Sequence, residues 1–491
     1  MAVARRAGFL FLAAAAAMGQ APSVPWRTIE TAHCRVHYPE PFEAWARHVA
    51  GQIEGIRGEV AGLVGSLAPR RIEVVVSDPE ADANGAAVPW LDRPEILLWT
   101  TPPGSESGQG DFDDWMRLLA THEMTHVVQL ARPGSGIAGI LERLSPAPFG
   151  SLALLLPRWV MEGYATLVEG VLTGSGRPNS AFRAMVLRQL AIEGKLPAYE
   201  KLDRKSGWLG GSMAYLAGSA YLEWLAEREG AGALPMLWDR MASGGGFESA
   251  FRSIFGDSPG DPYGRFVAET TARAIEEEKA LEQAGIVEGV DWQRLEGGTL
   301  SPQVSPDGSR LLARRDPNRD ESLVAVWELS EGGAAPEGGA PRAPRWTLPR
   351  ADGYAAADPR WMPDGRRILF TRRAPGSDGA LRRDLYLWEP ASGRVRRVTR
   401  GSGVGDADPT PGDRAAVAVR NRFGASALVR VDFESGRVEE IPVRIPVEES
   451  WPVWSHPRIS PDGRTVAALL HAGGRWRLVA TPVEGGDARE L

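Results

Sequence analysis

From Pro41 to Val64 apolar residues return every three or four positions, at Phe42, Trp45, Val49, Ile53, Ile56 and Val60. That period puts them on one face and predicts an amphipathic helix whose stripe meets a core. The pattern differs on either side of it. Cys34 to Tyr38 predicts a short strand before the helix, and Arg71–Ser77 (RIEVVVS) and Glu95–Thr100 (EILLWT) predict two strands after it. Both later runs are short, β-branched or apolar, and bounded by Pro, Gly, Asp and Asn. Between them Asp78 to Pro89, rich in small residues, reads as a loop. Helical spacing resumes at Asp111, taken as an N-cap, and continues through Leu130 to a stop at Pro133-Gly134. Further helical patterns cover approximately Arg158–Val171, Ala181–Glu193, Ser212–Glu229, Leu234–Met241 and Tyr263–Gln283. Strands followed by a majority of helices predict an α+β domain.

The pattern changes near Val287 to short strands separated by Gly, Pro and Asp turns, and a repeat emerges. Ser305-Pro306-Asp307-Gly308 followed by an apolar pair returns as Met362-Pro363-Asp364-Gly365 and as Ser460-Pro461-Asp462-Gly463. A degenerate copy starts at Pro411-Gly412-Asp413. Copies about 50 residues apart have the spacing of four-stranded propeller blades, and each Pro-Asp-Gly supplies a tight turn into the next strand. These repeats resemble TolB-like and WD-type blades over about 291–491. The resemblance implies an all-β propeller with about four recognisable blades, which TolB-like domains usually exceed. The expected organisation is therefore multidomain, with a signal peptide at 1–21, an α+β domain at 22–285, and a propeller, incomplete if further blades belong to it, at 286–491.

Composition narrows the function classes. The 491-residue chain exceeds what one hydrophobic core supports. Its net charge of −7 lacks the basic footprint of a nucleic-acid binder. Arg5 and Arg6 ahead of the short apolar run Gly8–Met18, with small residues to Ala21, read as a Sec-type secretory signal. A periplasmic or secreted protein is expected, with no stable membrane span in the mature chain. Cys34 is the only cysteine, which excludes internal disulfides and thiolate-rich metal sites; as a lone residue in a strand it reads as a small buried side chain.

The chemistry concentrates at Thr121-His122-Glu123-Met124-Thr125-His126, an HExxH pattern inside a predicted helix. Two histidines four apart lie about 40° from one another around a helix, so both imidazoles can reach one metal while Glu123 projects beside them. Catalytic zinc takes three protein ligands. No histidine occurs between His126 and His456, and the continuation that would supply a third one fails at Gln129 and Arg132. A carboxylate is left, with Glu142, Glu162, Glu169 and Glu193 as candidates.

Trp159-Val160-Met161-Glu162-Gly163-Tyr164-Ala165 resembles the W-x-x-E-G-x-A motif of gluzincin metallopeptidases. The resemblance extends over about 26–283 and is nearest to peptidase-MA-like gluzincins. It implies that Glu162 is the third ligand of a Zn2+ held with His122 and His126, and that Gly163 and Ala165 let two helices pack closely. It also implies that the strand before the metal helix, Glu95–Thr101, lines the cleft and pairs with extended substrate. The family adds a Tyr or His for the oxyanion; here Tyr215 is the candidate, with Tyr221 and Tyr164 competing. Thr166 and Glu169 are both candidates to hold a histidine ligand. The absence of the G-x-M-E-N signature favours an endopeptidase acting on peptide or protein substrates, zinc activating water and Glu123 serving as general base. The propeller would bind or select substrate or a protein partner. The competing reading is a non-catalytic protein-binding protein that carries a metallopeptidase-like domain; a serine peptidase is set aside because no G-x-S-x-G elbow occurs.

Overall fold

A computed structural model describes residues 24–67, 70–89, 93–135, 140, 155–205 and 211–287, and beyond these 289, 292–293, 295, 298–316, 322–329, 342–350, 356–376 and 379–491. The proposed signal at 1–21 and Glu142 lie outside the described residues. Two compact units result. The described residues of the first run to Ile286 except for Asp78–Asp82, which group with Val287–Leu491 in the second.

In the first unit β1 (Trp26–Glu30), β2 (Cys34–Pro39), β3 (Ile72–Ser77), β4 (Gly85–Val88) and β5 (Glu95–Trp99) form one sheet in the order β1-β2-β3-β5-β4. β2, β3 and β5 are parallel, and β1 and β4 are antiparallel to their neighbours. Two parts of the sequence reading change here. The supposed loop between β3 and β5 contains β4, whose Gly-Ala-Ala-Val sequence carries no strong strand signal. β5 is flanked on both sides by β3 and β4, so the strand itself has no free edge for a substrate; of the two edge strands, β1 and β4, it is β4 that lies beside β5.

Helix α1 (Glu43–Val64) buries Trp45, Val49, Ile53, Ile56, Val60 and Val64 along its stripe and stops at Gly65, whose φ of 74° is left-handed. α2 (Trp115–Leu130) packs against α1, β4 and β5. Its N-cap is Asp114, not Asp111: the Asp114 carboxylate accepts from the Arg117 amide and is held by His48 and Gln52 of α1. α3 (Arg158–Thr173) follows, then α4 (Ala181–Ile192), α5 (Met213–Glu229), α6 (Ala233–Ala242), α7 (Phe247–Phe255) and α8 (Gly260–Gln283). α7 is absent from the sequence reading although Phe247, Ala250, Phe251, Ile254 and Phe255 recur at helical spacing; its nine residues between Gly246 and Gly256 are short for a helix. Cys34 is fully buried, and burial pushes its thiol up to about 12, so it is inert at neutral pH.

The second unit holds four antiparallel four-stranded sheets in sequence, a four-bladed β-propeller arrangement. Their strands span 298–347, 356–397, 404–440 and 453–490. Consecutive blades share cores, such as Phe370 and Trp388 with Leu312 and Val326, then Leu385 and Leu387 with Ala416 and Val431, then Val417 and Leu428 with Trp454 and Leu470. Each repeat motif closes the same hairpin: the amides of Ser305, Met362, Thr410 and Ser460 donate to the carbonyls of Arg310, Arg367, Ala415 and Thr465. A second periodicity is visible only in the backbone. Ser301, Asp358, Asp406 and His456 all have positive φ, each at a bulge in the first strand of its blade.

Candidate metal centre

α2 brings His122, Glu123 and His126 to one place because all but two of its sixteen residues are buried, which leaves the helix little freedom to rotate. Inside it Thr121 and Thr125 return their hydroxyls to the carbonyls of Arg117 and Thr121 and satisfy themselves there. α3 supplies Glu162 and Glu169, and its first two amides, at Arg158 and Trp159, donate to the Asp203 carboxylate 3.3 and 2.7 Å away. α3 and α5 nearly touch at Gly163 and Gly218. A Cβ on Gly163 would lie 2.7 Å from the Gly218 carbonyl carbon, and one on Gly218 2.7 Å from the Trp159 oxygen. Only glycine allows that approach. It carries Tyr215, three residues before Gly218, over the His122 ring, stacked at 6.1 Å between centroids and 27° between planes.

The separations between the converging atoms are 3.2 Å from His126 Nε2 to His122 Nε2, 3.3 Å from His126 Nε2 to Glu162 Oε2, and 3.7 Å from His122 Nε2 to Glu162 Oε2. Metal–ligand bonds of about 2.0–2.1 Å in a tetrahedron require ligand atoms about 3.3–3.4 Å apart. Two imidazoles and one carboxylate at these spacings therefore fit a zinc-sized ion, and among the described residues this is the one group of three or more His, Cys, Asp or Glu that could hold a metal ion. Nδ1 of His122 donates to Glu169 Oε2 over 2.7 Å, which frees Nε2 as a ligand. Glu169 is almost fully buried and receives Arg177 Nη1 at 3.1 and 3.0 Å on its two oxygens.

Burial opposes the charge on every group here, and the neighbours decide the outcome. His122 is disfavoured as a cation by burial, yet Glu162 and Glu169 outweigh this and push it up to about 9; a metal ion on Nε2 would take that proton's place. Burial raises Glu162 and Glu169 too, but hydrogen bonds from the histidines hold Glu162 well below the usual carboxylate range and the Arg177 charge lowers Glu169. Glu123 goes the other way. Its burial wins over the two histidines and raises it above the usual carboxylate range.

These residues line a cleft of about 530 Å³ together with Asn84, Gly85, Ala86 and Ala87 of the β4 edge. Gly85 faces the Glu123 carboxylate, since a Cβ there would lie 2.9 Å from Oε1. Of the three tyrosines considered, Tyr215 lines the cleft; Tyr164 and Tyr221 donate to the Leu63 and Pro259 carbonyls. Of the two candidates for holding a histidine, Glu169 does so, while Thr166 is buried with an unpartnered hydroxyl among the described residues. Glu193 sits at the exposed end of α4. Arg158 and Arg177, which sequence reasoning passed over, also line the cleft, and their guanidinium groups lie 5.1 and 4.7 Å from the Tyr215 ring centre. Arg158 had a signal of its own, one helical turn before Glu162; Arg177 had none, because a loop brings it back.

No protein-family profile and no curated protein matches the sequence. Among the described residues no helix is long and apolar enough to cross a membrane. Solved structures similar to this chain include TolB from Acinetobacter baumannii, at 21% identity over 40% of this chain and 44% of that one with a TM-score of 0.31. A putative TolB from Agrobacterium tumefaciens matches at 22% identity over 41% of this chain and 68% of that one, TM-score 0.32. Puromycin hydrolase matches at 19% identity over 39% of this chain and 28% of that one, TM-score 0.29. The chain thus spans under half of the Acinetobacter TolB. At these scores the likenesses carry no argument about activity; the propeller is assigned from strand order and register, and TolB-like propellers stand among the structures it is similar to.

Proposed function

We propose that this chain is an exported, zinc-dependent metallopeptidase of the gluzincin type. The observation that carries the reading is the spacing of His122 Nε2, His126 Nε2 and Glu162 Oε2, 3.2 to 3.7 Å apart, in a cleft that also holds the Glu123 carboxylate. A bound zinc ion would supply Lewis acidity toward the scissile carbonyl and toward water. The chain's own groups do the rest. Glu123 accepts the proton of the attacking water and delivers it to the departing amine. Glu169, itself neutralised by Arg177, fixes the tautomer of His122. The backbone of β4, at the end of the sheet, offers donors and acceptors to an extended peptide. Burial pushes the Tyr215 hydroxyl up, so it stays protonated and able to donate to a developing oxyanion. An endopeptidase suits a cleft bounded by a strand edge, and the propeller would hold or select protein substrates.

The test is elemental analysis beside hydrolysis of a mixed peptide library. Wild type should hold about one zinc per chain, and Glu162→Ala and His126→Ala should lose it with the fold retained. Glu123→Gln should keep zinc and lower hydrolysis by at least about a hundredfold. A zinc-loaded wild type that cleaves nothing in the library would sink the enzymatic reading in favour of a binding protein.

A further inference from the structure

The charged groups lining the cleft are four carboxylates, Glu123, Glu162, Glu169 and Asp203, and three bases, Arg158, Arg177 and Lys205. A divalent cation would leave one positive charge in excess. Most of these groups are engaged: Glu169 with His122 and Arg177, Asp203 with the first amides of α3, and Glu162 Oε2 with both imidazoles. Arg158 is different. Among the described residues its only ion pair is a loose one, Nε to Glu162 Oε1 at 3.9 Å, and Nη2 donates to the Gly211 carbonyl at 2.9 Å. Nη1 is buried and has no hydrogen-bond partner among the described residues. A buried charged donor without an acceptor is costly, and a bound group that brings an acceptor would remove that cost.

We propose that Arg158 recognises a carboxylate of the substrate within one residue of the scissile bond, so that the cleft selects peptides carrying a negative charge there. This deepens the metallopeptidase reading and rests on it. The guanidinium is prepared for the task, being held from one side by the Tyr215 ring and anchored through Nη2, with one face on the cleft and Nη1 without an acceptor among the described residues. Its place follows from the contact with Glu162. A carboxylate gripped beside a metal ligand belongs to the residue whose carbonyl meets the metal or to its neighbour. Arg177 is less suited to this role, since its Nη1 already meets both oxygens of Glu169, whose charge balances its own. The carboxylate can be a peptide C-terminus or an Asp or Glu side chain, and the two are separable by experiment.

Full-length, zinc-loaded protein carrying Glu123→Gln would be titrated with four peptides by calorimetry. Acetyl-tetraalanine is compared as free acid and as amide, and acetyl-Ala-Ala-Glu-Ala-amide with its Gln counterpart. One of the carboxylate peptides should bind at least about tenfold more tightly than its neutral partner, a difference typical of a charge-assisted hydrogen bond. The pair that shows it identifies the source. Arg158→Gln should bring that preference to within about twofold, and Arg158→Lys should restore part of it. Thermal melts and zinc content accompany each variant. No preference in either pair, or a preference that survives Arg158→Gln, overturns the proposal. So does an equal weakening of all four peptides with loss of zinc, which would make Arg158 a positioning residue for Glu162. Failure of zinc to bind the Glu123→Gln parent overturns the metallopeptidase reading instead, and the same four titrations on that protein still decide the carboxylate preference.

Discussion

His122 is held from both sides of its ring: Nε2 faces Glu162 and His126, and Nδ1 is bound to an almost fully buried carboxylate. Glu169 can stay charged in that position because Arg177 meets both of its oxygens. A buried carboxylate on the remote nitrogen makes imidazole a better ligand and prevents the wrong tautomer. Glu169→Gln should therefore weaken zinc binding by about 10- to 100-fold, read by competition with a chromophoric chelator, although the residue touches no metal. An unchanged affinity would mean that the ring is oriented by packing under Tyr215 alone. Arg177 would in that variant lose its counter-charge, so some loss of thermal stability is expected alongside.

At the scale of elements, the site depends on how closely α3 and α5 approach, which Gly163 and Gly218 permit, and on a short edge strand whose Gly85 leaves room for Glu123. The propeller has its own weak point at the degenerate turn. Gly308, Gly365 and Gly463 occupy the left-handed position of their turns with φ of 76°, 62° and 74°, but in the third repeat the order is reversed and Asp413 takes it at 58°. Asp413 also keeps a buried Oδ1 without a hydrogen-bond partner among the described residues and is raised in pKa, first by burial and then by Asp364. Its interaction with Arg367 is long, 3.9 Å. Asp413→Gly removes the strained backbone and the unsatisfied oxygen together. It should stabilise the propeller by about 0.5–1 kcal/mol in denaturant unfolding. Destabilisation would show that the Arg367 contact outweighs both.

At the scale of the whole molecule, each residue assigned to the chemistry belongs to the first unit, and the second contributes histidines only at His456 and His471. His471 is buried, and His456 pairs with Asp406 at a strand bulge, so both belong to blade structure. Cutting near Val287 should release a fragment that keeps zinc and cleaves short peptides within about tenfold of the full chain, since the reacting groups are all upstream. Cleavage of large proteins should change with loss of the propeller. Paired assays on short and long substrates measure both. Loss of zinc in a folded fragment would show that the propeller helps to build the site.

What local sequence determined were features that need no partner far along the chain: the stripe of α1, the HExxH spacing on α2, and the turns that recur in each blade. The W-x-x-E-G-x-A resemblance pointed to Glu162, and folding places its Oε2 opposite the two imidazoles. Where the chain had to decide between chemically similar candidates, sequence was mute, because the choice depends on which side chain lies across a gap. Glu169 and not Thr166 reaches His122, and Tyr215 and not Tyr164 or Tyr221 faces the cleft, only because two glycines let α3 and α5 close together. β4 and not β5 forms the open edge for the same kind of reason. A strand's neighbours are set by long-range pairing, and Gly-Ala-Ala-Val has too little intrinsic preference to announce a strand before β5 is there to bind it. Arg158, finally, is an ordinary helix residue in sequence; tertiary packing buries its Nη1 and leaves it no acceptor among the described residues, which is what the proposed carboxylate recognition rests on.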